Sequence, residues 1–217
     1  MQVNKFKRIT MVTLAIIMLL SCTITGCSEK EASKTSEKVL VIGYDRDAEI
    51  MDTIKTAWYS DALIYIHDRL VTRDYEFGYR PGLAESWDVS EDGLTWTFHL
   101  RKDVKFHDGK KFTAEDVKWT IDTIKDPDTA SPFSGDLAAI KEVNIVDEHT
   151  VEMVLNYPFP NLLYNLSATA SGIHPANAYD TYGSDYGKKV VIGTGPYKLG
   201  EWTPGDKTVL VRNEDYN

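Results

Sequence analysis

The run from Ser86 to Pro127 leaves this chain little freedom of fold. Ser86–Val89 and Leu94–Leu100 flank Ser90-Glu91-Asp92-Gly93, and Asp-Gly between two strand-like runs is a hairpin signal. In the second run Trp96, Phe98 and Leu100 share one face while Thr95, Thr97 and His99 share the other, the alternation of a half-buried strand. Asp108-Gly109 marks a further turn, after which the pattern becomes helical. Thr113 stands as N-cap, and Asp116 completes a variant capping box that also suits the positive helix end. Val117, Ile121 and Ile124 carry the helix forward, and Asp126-Pro127 stops it. An antiparallel hairpin followed at once by an amphipathic helix calls for a sheet with a helix packed on one face.

The rest of the chain alternates in the same manner. Val39-Leu40-Val41-Ile42-Gly43 is a continuous apolar run, expected to form a strand buried on both faces. Residues 45–60 read as an irregular loop, and Leu63, Ile66 and Leu70 predict a helix over Asp61 to Leu70. A second hairpin is expected from Val143–Val146 to Thr150–Leu155, with a short helix at Leu162–Leu166. Residues 168–195 are rich in loop residues, and a last hairpin pairs Tyr197–Trp202 with Thr208–Arg212 across Pro204-Gly205. The class is α/β or α+β, with no internal repeat.

The first residues belong to a different category. Lys5, Lys7 and Arg8 precede an apolar stretch, Ile9 to Leu20, that is too short to span a bilayer. It ends at Ile24-Thr25-Gly26-Cys27, and a small residue before Cys resembles the lipobox of bacterial lipoproteins. The expected organisation is a signal peptide over 1–26, a lipidated Cys27, a flexible tether over 27–38 and a folded domain over 39–217. Leu19-Leu20-Ser21-Cys22 offers a second candidate, and an ordinary secretory signal is the plain alternative. Two acyl chains would hold the protein on the outer face of the cell membrane. The net charge of −9 becomes more negative once Lys5, Lys7 and Arg8 are removed, which argues against a nucleic-acid partner.

Catalytic chemistry finds little support in the residue types. The His residues at 67, 99, 107, 149 and 174 show no i, i+4 or HExxH spacing for a metal. No GxSxG elbow occurs, and Gly193-Thr194-Gly195 lacks the Lys-Ser/Thr pair and following helix of a phosphate loop. Acidic residues are plentiful, but a glycosidase pair cannot be singled out from sequence. Trp58-Tyr59 in a loop has two readings: lining a ligand cleft, or packing on the neighbouring helix.

Pro81 to Asp122, PGLAESWDVSEDGLTWTFHLRKDVKFHDGKKFTAEDVKWTID, closely resembles the signature of extracytoplasmic solute-binding proteins of the oligopeptide and dipeptide type, the receptors of ABC importers. The opening VIGYDRDAEIMD and the block from Gly193 to Tyr216 are similar to the same family. The resemblance implies a periplasmic-binding-protein-like type II fold, here an incomplete first lobe with a mixed sheet and an extra hairpin-and-helix subdomain. It also implies a peptide ligand, permease subunits as partners and no cofactor, metal or catalytic residue. Trp96, Phe98 and His107 are expected to be scaffold. The cleft-facing expectations are Trp58, Tyr59, Ser60 and Ser171, although Met51-Asp52-Thr53 replaces the family's Leu-Asp-Pro. Family members are more than twice this length, so Asn217 is expected to fall short of the second lobe and the chain alone to bind peptides weakly. Other family solutes (nickel, an opine, an oligosaccharide), a truncated remnant and a surface hydrolase complete the alternatives.

Overall fold

The computed structural model describes residues 39–44, 49–56 and 61–216, and divides the chain into Met1–Gly43 and Tyr44–Asn217. The elements in order are α1 (Leu63–Ile66), β1 (Val71–Arg73), β2 (Tyr79–Pro81), β3 (Ala84–Val89), β4 (Thr95–Leu100) and α2 (Ala114–Lys125). They continue with β5 (Ile140–Asp147), β6 (Thr150–Leu155), α3 (Leu162–Leu166), α4 (Ala178–Tyr182), β7 (Tyr197–Thr203) and β8 (Lys207–Arg212). Among the described residues, one four-stranded sheet runs β3-β4-β6-β5, and β1-β2 and β7-β8 form two-stranded ribbons. Every one of these pairings is antiparallel, so the mixing expected within a sheet reduces to one isolated parallel bridge between Tyr186 and Val190.

The four-stranded sheet forms where the alternation placed it. Trp96, Phe98 and Leu100 are buried on β4, and Val151, Met153 and Leu155 are buried beside them on β6. The β3–β4 turn closes on Asp92, whose carboxylate accepts from Ser90 Oγ at 2.6 Å and Leu94 N at 3.0 Å. Gly93 at φ 69° supplies the left-handed step. Helix α2 begins at the expected capping box, with Thr113 N donating to Asp116 Oδ2 at 2.8 Å. Val117, Ile121 and Ile124 lie fully buried in the same core cluster as the sheet's inner face. Each such side chain contributes about 1.5–3 kcal/mol of burial. A second cluster gathers Met51, Leu63 and Ile66 under Val191, Leu199, Trp202 and Leu210.

Two expectations are corrected. Val39–Gly43 forms no strand, and Val39, Leu40 and Val41 are each more than three-quarters exposed. An extended apolar run is held as a strand only by ladder partners, and none of the described strands pairs with it. The helix expected over Asp61 to Leu70 is confined to Leu63–Ile66. His67 already turns to extended backbone at φ −113° and ψ 120°, and Ile66 O, the carbonyl Leu70 N would have used, accepts from Gly195 N at 2.8 Å. With His67 extended and Ile66 O engaged, the i to i+4 ladder stops there.

Candidate functional site

Loops normally run over the surface, because a buried one must satisfy every polar backbone group internally. The segment Met51–Thr56 breaks that habit, with Met51, Asp52, Thr53, Ile54 and Thr56 all buried. Its polar groups are accordingly accounted for. Asp52 Oδ1 accepts from Ile54 N at 2.8 Å, Asp52 O accepts from Thr56 N at 3.1 Å, and Met51 N donates to Gly187 O at 2.7 Å. Ser131 Oγ donates to Ile54 O at 2.6 Å. From α4, Tyr179 OH donates to Asp52 Oδ2 at 2.8 Å, while Lys55 Nζ sits 3.8 Å from the centre of the same ring.

The deepest anchor is His174. Its Nε2 lies 2.7 Å from Thr53 Oγ1 and its Nδ1 2.6 Å from Tyr186 OH. Its backbone is held as well: Thr120 on α2 accepts from His174 N at 3.1 Å and donates to His174 O at 3.3 Å. His67 packs against the His174 ring, with centroids 4.3 Å apart and planes inclined by 32°. Its Nδ1 reaches Ile173 O at 3.3 Å, and its buried Nε2 has no hydrogen-bond partner among the described residues. Both imidazoles lie far below the ordinary histidine range. Burial pushes His174 down to about 3, and burial followed by the neighbouring His174 pushes His67 well down. Both are neutral at pH 7. Burial first, and then the charge of Asp52, raises Tyr179 and Tyr186, so both phenols stay protonated donors.

The expected site residues fall unevenly on this geometry. Trp58, Tyr59 and Ser60 lie outside the described residues, as does Cys27. Ser171 is buried, and its Oγ donates to Asn165 O at 2.8 Å. It closes the turn that leads through Gly172 into Ile173 and His174, and a Cβ on Gly172 would lie 2.8 Å from His67 Cβ. Asp52, His67, His174, Tyr179 and Tyr186 were not selected from sequence. His67 and His174 meet only through the tertiary fold, so no spacing rule exposes the pair.

Gly193-Thr194-Gly195 serves close packing. A Cβ at 193 would stand 2.0 Å from Ile66 O, and one at 195 would stand 2.3 Å from Tyr65 O. His107 ties down the same turn, donating from Nε2 to Gly195 O at 3.0 Å and accepting from Gly193 N at 3.3 Å. Trp96 and Phe98 lie buried in the core, whereas His107 is half-buried and also lines a groove. This groove of about 510 Å³ lies between Lys188–Ile192 and Lys198–Trp202, and Val191, Leu199 and Trp202 of its lining also pack on the cluster that holds Met51. No group of three or more potential metal ligands occurs among the described residues, and no described helix is long and apolar enough to cross a membrane.

The mixed α/β arrangement, with its antiparallel sheets, matches solved type II periplasmic binding proteins. The structure of NikZ from Campylobacter jejuni in complex with Ni(L-His) aligns with a TM-score of 0.73 at 31% identity, covering 79% of this chain and 34% of that one. MoaA in complex with mannopinic acid, from A. tumefaciens R10, aligns with a TM-score of 0.71 at 34% identity over 77% of this chain and 35% of that one. In sequence, the periplasmic oligopeptide-binding protein OppA of Escherichia coli K12 is 32% identical over 169 residues, 70% of this chain and 31% of OppA. Residues 78–217 match the model of the bacterial extracellular solute-binding proteins, family 5 Middle, and the chain belongs to that family. It spans about a third of the length of the relatives it matches.

Proposed function

We propose that this chain is the solute-capturing part of an ABC importer, taking oligopeptides or dipeptides outside the cytoplasm and passing them to permease subunits in the membrane. The family match over residues 78–217 carries the reading, and OppA among the relatives supports peptides as the solute. Capture works by closure of two lobes, with the closed state favoured because the ligand touches both. Peptide main chains bind through strand-like hydrogen bonds, which leaves side-chain pockets permissive. The protein is a binding component, not an enzyme.

Trp58, Tyr59 and Ser60 are the contacts proposed for this lobe, because the residues just before them are pinned from several sides. Ser171 contributes by position, since its hydroxyl is committed to Asn165. Residues 1–26 act as the signal peptide, Cys27 carries the lipid, and 27–38 tether the domain to the outer face of the cell membrane. A second reading, another solute such as a nickel chelate or an opine, is favoured by the likeness to NikZ with Ni(L-His) and MoaA with mannopinic acid.

Isothermal titration of the full chain with defined dipeptides and pentapeptides, Ni(L-His) and mannopinic acid separates these readings. Saturable heat with peptides alone supports the first. Heat with either of the other ligands alone supports the second, and silence with all of them, at ligand concentrations high enough to register the weak binding expected of this chain alone, overturns both.

A further inference from the structure

We infer that His67 and His174 form a proton-sensitive latch under Met51–Thr56, so that mild acid loosens one wall of the candidate site. The regulatory meaning rests on the proposed solute-binding reading; the latch itself does not.

The geometry has three parts. His174 bonds Thr53 on one side and Tyr186 on the other, so the imidazole is the keystone between the segment and the 178–192 stretch. His67 packs against it with centroids 4.3 Å apart and ring planes inclined by 32°, and its fully buried Nε2 has no partner among the described residues. Neither ring has access to water: His67 is 1% exposed and His174 is fully buried. A proton arriving on either ring therefore creates a buried cation packed against another base.

Hydrogen bonding alone would not open the latch. Both partners of His174 are hydroxyls, and a hydroxyl can accept from an imidazolium as readily as it donates to an imidazole. The opening force is the desolvated charge. Asp52 faces the pair from the segment itself, and its charge favours a proton on His67. His107 from the turn before α2 opposes one there, as does His174, while His174 itself is held neutral by burial. Asp68 follows His67 and is itself held toward its neutral form by burial. Tyr179 and Tyr186 stay neutral, and Thr120 on α2 is uncharged. One carboxylate already engaged by Tyr179 and Ile54 does not neutralise two imidazoles. Relief comes from letting water reach the rings, and the contact free to part is Thr53, carried by a loop and not by the sheet.

Native-state hydrogen exchange of the full chain tests this directly. The Ile54 and Thr56 amides report the segment, and the Phe98 amide reports the sheet. After correction for intrinsic exchange, Ile54 and Thr56 protection is expected to drop by up to about tenfold per pH unit below pH ~6.5 as one proton is taken up, while Phe98 changes far less. His174→Gln, which retains a donor and an acceptor, is expected to flatten the dependence. Should that variant fail to fold, His67→Phe provides the second arm, with the same flattening expected. A ratio of Ile54 to Phe98 protection that stays constant within twofold from pH 7.5 to 4.5 overturns the latch. A parallel titration with the probe peptide Ala-Ala-Ala keeps the two ideas apart. Absence of binding at every pH counts against the peptide reading alone, whereas constant protection removes the latch whatever the peptide does.

Discussion

Asp116 and Ala176 are joined by a 2.8 Å hydrogen bond from the Ala176 N–H to Asp116 Oδ1, while Oδ2 of the same carboxylate accepts from Thr113 N at 2.8 Å. One side chain thus caps α2 and holds the strand of chain that follows His174. An Asn offers a single acceptor oxygen, so Asp116→Asn loses one of these bonds. A loss of about 1–2 kcal/mol is expected, read as a lower urea midpoint with an unchanged slope.

Global stability is expected to fall in acid through the two buried histidines. The sign follows from proton counting. Both folded pKa values are lowered, so below the ordinary value near 6.5 the unfolded chain binds more protons than the folded one. Stability is full above pH ~6.5 and declines toward pH ~3, by up to about 1.4 kcal/mol per pH unit for each residue. Asp68 and Asp116 act in reverse, because burial raises their pKa and the folded state takes up their protons first. Urea titrations at pH 7.5, 6 and 5 on the natural chain and on His174→Gln isolate the histidine part as the difference between the two slopes.

Gly193 and Gly195 are expected to be intolerant of any side chain. The atoms a Cβ would meet are the backbone oxygens of Ile66 and Tyr65, which cannot swing away. Gly195→Ala is expected to cost at least about 3 kcal/mol, whereas Gly135→Ala, with nothing within 4 Å of the new methyl, should stay within about 0.5 kcal/mol. Thermal melts of the two variants side by side check the contrast.

Truncating the centre of α2 tests the main core. Ile121 is fully buried in the cluster it shares with Phe98 and Met153. Ile121→Ala is expected to cost about 2–5 kcal/mol by equilibrium denaturation, the spread depending on how far the site collapses.

Lipidation is checked by labelling cells with a radioactive or clickable fatty acid. Cys27→Ala is expected to abolish the label, and a label that survives moves the anchor to Cys22.

The elements legible in sequence are those whose cause is local. The β3–β4 hairpin is written in Asp92-Gly93 and the alternation after it, and α2 in Thr113, Asp116 and the spacing of Val117, Ile121 and Ile124. The missed boundary of α1 has a distant cause, since Gly195 takes the Ile66 carbonyl a longer helix would have used. The site follows the same rule. The loop before Trp58 could be singled out, but its anchors at His174, Tyr179 and Tyr186 lie far along the chain, in a stretch whose glycines and prolines read only as loop.

The contact of Gly193 and Gly195 with the end of α1 also has a mechanical consequence. Backbone pressed on backbone has no side chain to rearrange, and the Gly195 N–H bond to Ile66 O locks the approach further. The start of β7 and the end of α1 must therefore travel as one rigid body. Any bending that accompanies the proposed solute capture has to be absorbed elsewhere in the backbone, so a search for the pivot can leave this junction aside.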